Sequence, residues 1–256
     1  MNTVVSLLLL FTYNTLNQDN NYYLAKYLLE HFYEIEDISA NTLAKNCHTS
    51  ITSVNNFCQK LGFKTFKKMK TMLINTKNSR YEQIKHRYRQ IDIDQSFELL
   101  AKIYHDDLDI KLLAKEIDKI TSLIHQSNKI ICFGAVFPLS LLANFIEDML
   151  MFDKYIEIRQ LGYENNLENY GEDCLLFFIT ITGRFLTMNK QFFLQLSHTN
   201  AKKIIVSQKD FYASYDILLK LKGKDDEEIE NLVILELFNL IKYYYYFKYI
   251  KTDNLT

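Results

Sequence analysis

Residues 39–70 read SANTLAKNCHTSITSVNNFCQKLGFKTFKKMK, and this stretch decides how the front of the chain folds. Ser39 suits an N-cap, and Leu43 and Ala44 give a short first helix its apolar side before Cys47 and His48 interrupt it. Thr49 or Ser50 then caps a second helix, in which Ile51, Val54, Phe57, Cys58 and Leu61 recur at three- and four-residue spacing. That spacing leaves Thr52, Ser53, Asn55, Asn56, Gln59 and Lys60 on or near the outward side, and with Ser50 at the helix start they are the candidates for DNA contact. Gly62 closes the helix, as a glycine just past a C-terminus commonly does. A helix with an apolar back and a hydrogen-bonding front, braced by a short preceding helix, is the layout that reads the DNA major groove.

Working outward, residues 3–16 and 22–34 read as helices, the second carrying Leu24, Ala25, Leu28, Leu29 and Phe32 at helical period. Asp19 or Asn20 caps it. The apolar run Val4 to Phe11 lacks a preceding basic region and a small-residue cleavage site, and it is too short to span a bilayer. It is expected to pack on the helical core, with no membrane involved. A further helix from Lys64 to about Asn75 completes an all-α bundle of five.

Charge separates the two ends of the chain. Residues 1–89 carry a net charge of +6 and the remainder −7, although the whole chain stands at −1. Between Lys60 and Arg89 there are ten basic residues against Glu82 alone; Lys64, Lys67 and Lys68 directly follow the two short helices and suit phosphate contacts. A basic front and an acidic rear fit a nucleic-acid module joined to a module of another kind. Cys47, Cys58, Cys132 and Cys174 are scattered without a C-x-x-C pair, so neither a zinc site nor a disulfide framework is expected, and a reducing cytoplasm is the simple reading. No cofactor, metal ligand set or catalytic group stands out. The acidic pairs Asp106-Asp107 and Glu147-Asp148 read as solvated helix faces.

Beyond about residue 95 the pattern changes. Residues 96–126 read as one or two amphipathic helices. Short apolar runs at 129–134, 155–158, 173–183 and 202–207 then alternate with helices at 139–151 and 186–197, and a long helix spans Glu227 to about Ile250. This alternation predicts an α/β domain with a parallel sheet covered by helices on both faces. The expected division is residues 1–77 for the helix-turn-helix domain, 78–105 for a linker and connecting helix, and 106–256 for the α/β domain.

The run TLAKNCHTSITSVNNFCQKLGFKTFKKMK resembles the N-terminal helix-turn-helix of the RpiR family of bacterial regulators of sugar metabolism. The family's Leu-Ala falls on Leu43-Ala44, its Ser-x-x-Thr-Val-x-Arg-Phe segment on Ser50 to Phe57, and its Leu-Gly-Phe ending on Leu61-Gly62-Phe63. Ser53 replaces the family's Thr and Asn56 its Arg, the second change removing a strong base or phosphate contact. The rear half resembles the SIS (sugar isomerase) domain that follows in the same family. This resemblance implies a double-stranded DNA operator, a sugar-phosphate effector, and a homodimer or tetramer.

It also implies a ligand site at the strand ends, built here from Gly134, Thr180, Thr182, Gly183, Arg184 and Ser207. The family's Gly-x-Gly-x-Ser loop is Gly134-Ala135-Val136-Phe137-Pro138 in this chain, and its Ser-x-Ser-Gly-x-Thr loop is Thr180-Ile181-Thr182-Gly183-Arg184-Phe185. The first loop thus loses a glycine and a hydroxyl, and Arg184 is the group that would supply phosphate affinity. Two other readings stand beside a sensing regulator. One is a sensor domain that only dimerises; the other is a phosphosugar isomerase-like enzyme.

Overall fold

A computed structural model describes residues 3–13, 18–104, 108–160, 170–210, 214–221 and 227–251. The acidic pair Asp106-Asp107 lies outside them. The chain forms two compact units: Met1–Arg89 with Glu147–Tyr155, and Gln90–Ile146 with Ile156–Thr256.

The first unit holds α1 (Thr3–Tyr13), α2 (Asn20–Glu30), α3 (Ala40–Asn46), α4 (Ile51–Lys60) and α5 (Phe66–Tyr88). Val4, Val5, Leu8 and Leu9 of α1 are buried, and Phe11 packs its ring 5.4 Å from Phe57 of α4. The apolar N-terminal run is therefore core. No helix among the described residues is long and apolar enough to cross a membrane. Every helix from α2 to α5 starts on a side-chain cap: Asp19, Ser39, Ser50 and Thr65 each accept from backbone N–H groups of the following first turn. Sequence spacing ends the last helix near Asn75, but α5 runs on to Tyr88 because Thr76, Ile84 and Tyr88 continue a buried stripe along it.

Three helix ends in this unit share one construction. After α4, Gly62 sits at φ +82° while Phe63 N–H donates to Cys58 O (2.8 Å) and Gly62 N–H to Gln59 O (2.9 Å). After α3, His48 takes the same left-handed role at φ 50°, with Thr49 N–H on Ala44 O (2.9 Å) and His48 N–H on Lys45 O (3.2 Å). Asp153 does so at φ 59° in the segment Glu147–Tyr155. There Lys154 N–H reaches Met149 O and Asp153 N–H reaches Leu150 O. These paired bonds satisfy carbonyls that a helix end would otherwise strand.

The second unit carries a five-stranded, all-parallel sheet in the order β2-β1-β3-β4-β5. Its strands are β1 (Lys129–Gly134), β2 (Ile156–Arg159), β3 (Cys174–Ile179), β4 (Lys202–Ser207) and β5 (Ile217–Lys220). All six residues of β3 are buried, as a central strand covered on both faces requires. On one face Ile131, Phe133, Leu176, Phe178 and Ile205 pack with Leu186, Phe192, Phe193 and Leu196, which come from α10 (Arg184–Met188) and α11 (Lys190–Ser197). On the other, Phe177 faces Phe238 of α12 (Glu227–Tyr245), which also meets Phe145 edge-on at 4.9 Å.

The remaining helices are α6 (Ile93–Ile103), α7 (Ile110–Gln126), α8 (Val136–Ser140) and α9 (Ala143–Leu150). The helix expected over 139–151 is thus two, beginning earlier: Pro138 sits in the first turn of α8, where its missing N–H costs nothing. A π-helical turn, Tyr246–Ile250, follows α12. Strand β5 goes beyond the sequence reading; it is only four residues long, and Ile217 is its one β-branched residue.

Candidate nucleic-acid interface and effector site

In α4, Val54, Phe57 and Cys58 are buried with the cap residue Leu61, while Thr52, Asn55, Asn56, Gln59 and Lys60 are exposed. The face that sequence spacing offers to a base-edge surface is the face the fold leaves open. Ile51 departs from its expected apolar role: it is the first residue of the helix and half exposed. Ser50 and Ser53 form the cap, Ser50 Oγ accepting from Ser53 N–H at 3.1 Å with the two hydroxyls 3.0 Å apart. Both are therefore occupied in starting the helix, and Ser53 is half-buried.

The basic run resolves into two groups. Lys64, Lys67 and Lys68 are exposed at the start of α5, whose N–H groups and dipole also favour an anion. Others are engaged within the unit. Lys70 Nζ donates to Glu36 O (2.6 Å) and Ile38 O (3.0 Å), Lys77 Nζ lies 3.2 Å from Glu36 Oε1, and Lys60 Nζ donates to Asn21 Oδ1 at 3.4 Å. Lys45, in the last turn of α3, is exposed on the bracing helix. Sequence reasoning passed over it because a lone lysine carries no pattern.

Arg80 and Arg87 converge on a single carboxylate. Asp148 is fully buried; it accepts from Arg80 Nη2 at 3.2 Å, Arg87 Nη2 at 2.6 Å and Tyr88 Oη at 2.7 Å. The expectation that Glu147-Asp148 is a solvated pair is corrected for Asp148. A carboxylate taken from water needs such donors, and two guanidinium groups and a phenol supply them.

In the second unit, sheet order reverses direction across β1, with β2 on one side and β3 on the other. The crevice outside the strand ends at such a point is where open α/β sheets hold ligands. The register pairs Gly134 with Ile179, so the loops after β1 and β3 leave the sheet side by side. Six predicted residues stand at these strand ends, but in different circumstances.

Gly134 serves packing: a Cβ there would come 2.8 Å from Ile179 O and 3.2 Å from Leu139. Thr180 is buried, its N–H donating to Val206 O at 3.0 Å. Thr182 is exposed, with Oγ1 accepting from Arg184 N–H at 3.4 Å, and Arg184 is exposed beside it. Gly183, at φ +73°, makes the turn into α10 and leaves room for Lys209. Ser207 lies fully inside, its hydroxyl accepting from Lys209 N–H at 3.1 Å. Thr182 and Arg184 are thus the predicted side chains open to a ligand. Just after β1, the first turn of α8 presents Val136 and Phe137, 63% and 58% exposed. Apolar side chains on that lip offer a ligand contact area and no hydrogen bonds.

Two solved structures and one family model are similar to this chain or to part of it. One solved structure similar to this chain is the Vibrio vulnificus NanR protein complexed with ManNAc-6P, at 14% identity and TM-score 0.43 over 97% of this chain and 94% of that one. Another is a hypothetical protein from Methanococcus jannaschii, for which a 3-hexulose-6-phosphate isomerase function has been inferred; it is 20% identical, with TM-score 0.43, over 64% of this chain and 90% of that one. Residues 9–79 match the family model described as helix-turn-helix domain, rpiR family. That segment takes in α2 to α4 and most of α5, so the front of the chain matches a helix-turn-helix domain of the kind found in the rpiR family.

Proposed function

We propose that the chain is a transcriptional regulator that reads an operator through α4 and responds to, or dimerises through, its SIS-like α/β unit. The observation that carries this reading is the exposed row Thr52, Asn55, Asn56 and Gln59 on a capped helix within an rpiR-family helix-turn-helix. Asn and Gln side chains pair bidentately with adenine edges, so the operator is expected to be A·T-rich at the positions that Asn55, Asn56 and Gln59 reach. Ser50 and Ser53 shape the helix start at the groove. Lys64, Lys67 and Lys68 meet phosphates, with Lys60 at the edge of that set.

The α/β unit takes a small phosphorylated sugar at the β1–β3 crevice, Arg184 holding the phosphate and the Thr182 hydroxyl orienting it. Gly134, Thr180, Gly183 and Ser207 hold the loops rather than the ligand. The loop after β1 gives no acid or base for isomerisation, which favours sensing over catalysis. The protein works in the cytoplasm on genes of carbohydrate metabolism, as a two-fold dimer or a tetramer.

Selection of bound duplexes from a random pool, followed by a salt titration, tests the reading. Enriched sites are expected to share an A·T-containing motif that Asn56→Ala relaxes. Replacing Lys64, Lys67 or Lys68 with Ala is expected to lower the slope of log affinity against log salt by roughly 0.9 each without changing the motif. Equal retention of all sequences, unmoved by Asn56→Ala, overturns it.

A further inference from the structure

Ile51 is the large apolar side chain of α4 that the core does not use. It opens the helix directly after the cap residue Ser50 and is 50% exposed, whereas Val54, Phe57 and Cys58 are buried and fill the helix's inner side. The residues exposed with it along α4 are polar: Thr52, Asn55, Asn56, Gln59 and Lys60. Stability gives no reason for an isoleucine here. An acidic residue in the first turn suits the helix dipole better, and a β-branched residue is a mediocre helix former. Yet the first turn of α4 holds no acidic group. A helix end without negative charge and with an open apolar side chain suits a DNA surface, where a carboxylate would face phosphates.

The cap fixes the place of this side chain. Ser50 Oγ accepts from Ser53 N–H and Ser50 O from Val54 N–H, both at 3.1 Å, so the helix is regular from its first turn. A branched Cβ confines Ile51 to one favoured χ1 rotamer in a helix, and little freedom is lost on contact. Ile51 and Asn55 are four residues apart and share a face, with about 6 Å of helix axis between them. Successive base pairs lie roughly 3.4 Å apart, so the two side chains address positions about one or two base pairs apart. In helix-turn-helix complexes the N-terminal residues of the second helix are the ones that meet base edges.

Resting on the DNA-binding reading above, we propose that Ile51 reads the C5-methyl group of a thymine lying about one or two base pairs from the adenine that Asn55 reads. Thymine is the base that shows a methyl group in the major groove; cytosine shows an amino donor, guanine two acceptors and adenine one of each. An isoleucine set against those polar atoms strips their water without replacing the hydrogen bonds. Specificity therefore comes both from attraction to thymine and from the cost of covering the other bases.

Deoxyuridine tests the methyl group alone, since it pairs as thymine does and lacks only that carbon. The full-length chain is titrated with a duplex enriched from the random pool, and with duplexes in which each thymine in turn is replaced by deoxyuridine. One thymine per half-site is expected to lose about fourfold in affinity on replacement, the worth of one buried methyl group. Ile51→Ala is expected to bind the thymine and deoxyuridine duplexes equally while keeping the adenine preference at the Asn55 position. Ile51→Val keeps the branched methyl pair and is expected to retain about twofold discrimination or more. Lys64→Ala is expected to weaken both duplexes alike, leaving their ratio unchanged. A ratio of one at every thymine in the natural chain overturns the methyl contact, and so does a ratio that Ile51→Ala leaves intact; in both cases the enriched motif keeps the DNA reading standing. Absence of any enriched motif refutes that reading and takes the methyl contact with it.

Discussion

Arg87 Nη2 stands 2.6 Å from Asp148 Oδ2, a contact made across 61 positions of sequence. With Arg80 and Tyr88 on the same carboxylate, it closes the first unit on itself. Asp148 is wholly buried, whereas the Arg87 side chain remains 43% exposed.

This asymmetry sets the expected cost of mutation. Removing the buried partner strands two guanidinium groups, and Asp148→Ala should lose about 3–5 kcal/mol of stability. Arg87→Ala should lose less, since Arg80 and Tyr88 still serve the carboxylate. Urea unfolding of the two variants checks the order; a larger loss for Arg87→Ala would contradict it.

The repeated helix-end construction gives substitutions of opposite sign. At Gly62 nothing lies within 4 Å of an added Cβ, so Gly62→Ala meets only the left-handed backbone and should destabilise by roughly 1 kcal/mol. His48 already bears that strain at φ 50°, and His48→Gly should leave stability unchanged or raise it by up to about 1 kcal/mol. Thermal unfolding of both variants is the check.

Asp19 caps α2 through Asn21 and Tyr22 N–H groups at 2.9 and 3.0 Å. Burial works against its charge, but those bonds and the Asn21 side chain outweigh it and hold its pKa below the ordinary value of 3.8. A carboxyl depressed in the folded state adds stability above its unfolded pKa and gives it up as pH falls through the folded value. Asp19→Ala should therefore cost about 0.5–2 kcal/mol at neutral pH. The gap to the natural chain should narrow below pH 3.8.

Gly134 tests packing against ligand contact. An alanine Cβ would lie 2.8 Å from the backbone oxygen of Ile179, which the central strand cannot move aside cheaply. Gly134→Ala should cost about 1–3 kcal/mol with no ligand present. A variant of unchanged stability that has lost phosphosugar binding would return Gly134 to the ligand's own contacts.

Much of this was readable in the chain. The spacing of Val54, Phe57, Cys58 and Leu61 marks the buried side of α4, and that leaves Thr52, Asn55, Asn56 and Gln59 outside as expected. The runs at 129–134 and 174–179 are strands because an unbroken apolar stretch of that length suits a strand covered on both faces. What resisted reading depends on distant neighbours. Asp148 beside Glu147 looks like an ordinary wet helix face until Arg80, Arg87 and Tyr88 arrive from a helix 60 positions and more away. The hydroxyl of Ser207 looks like a rim donor until β4 is placed between two strands, with Lys209 N–H turned onto it. Periodicity reports which side of an element is apolar, not who will face its polar side.

Synthesis of the chain on a ribosome brings out a consequence of where Glu147–Tyr155 lies in the sequence. The helices of the first unit emerge early, but Asp148 and Phe152, which complete their packing, are translated only after the whole of α6, α7, β1 and α8. At roughly 5–20 residues per second, the nascent bundle waits on the order of several seconds with Arg80, Arg87 and Tyr88 uncovered. A truncated transcript ending before Asp148 would leave that bundle unfinished.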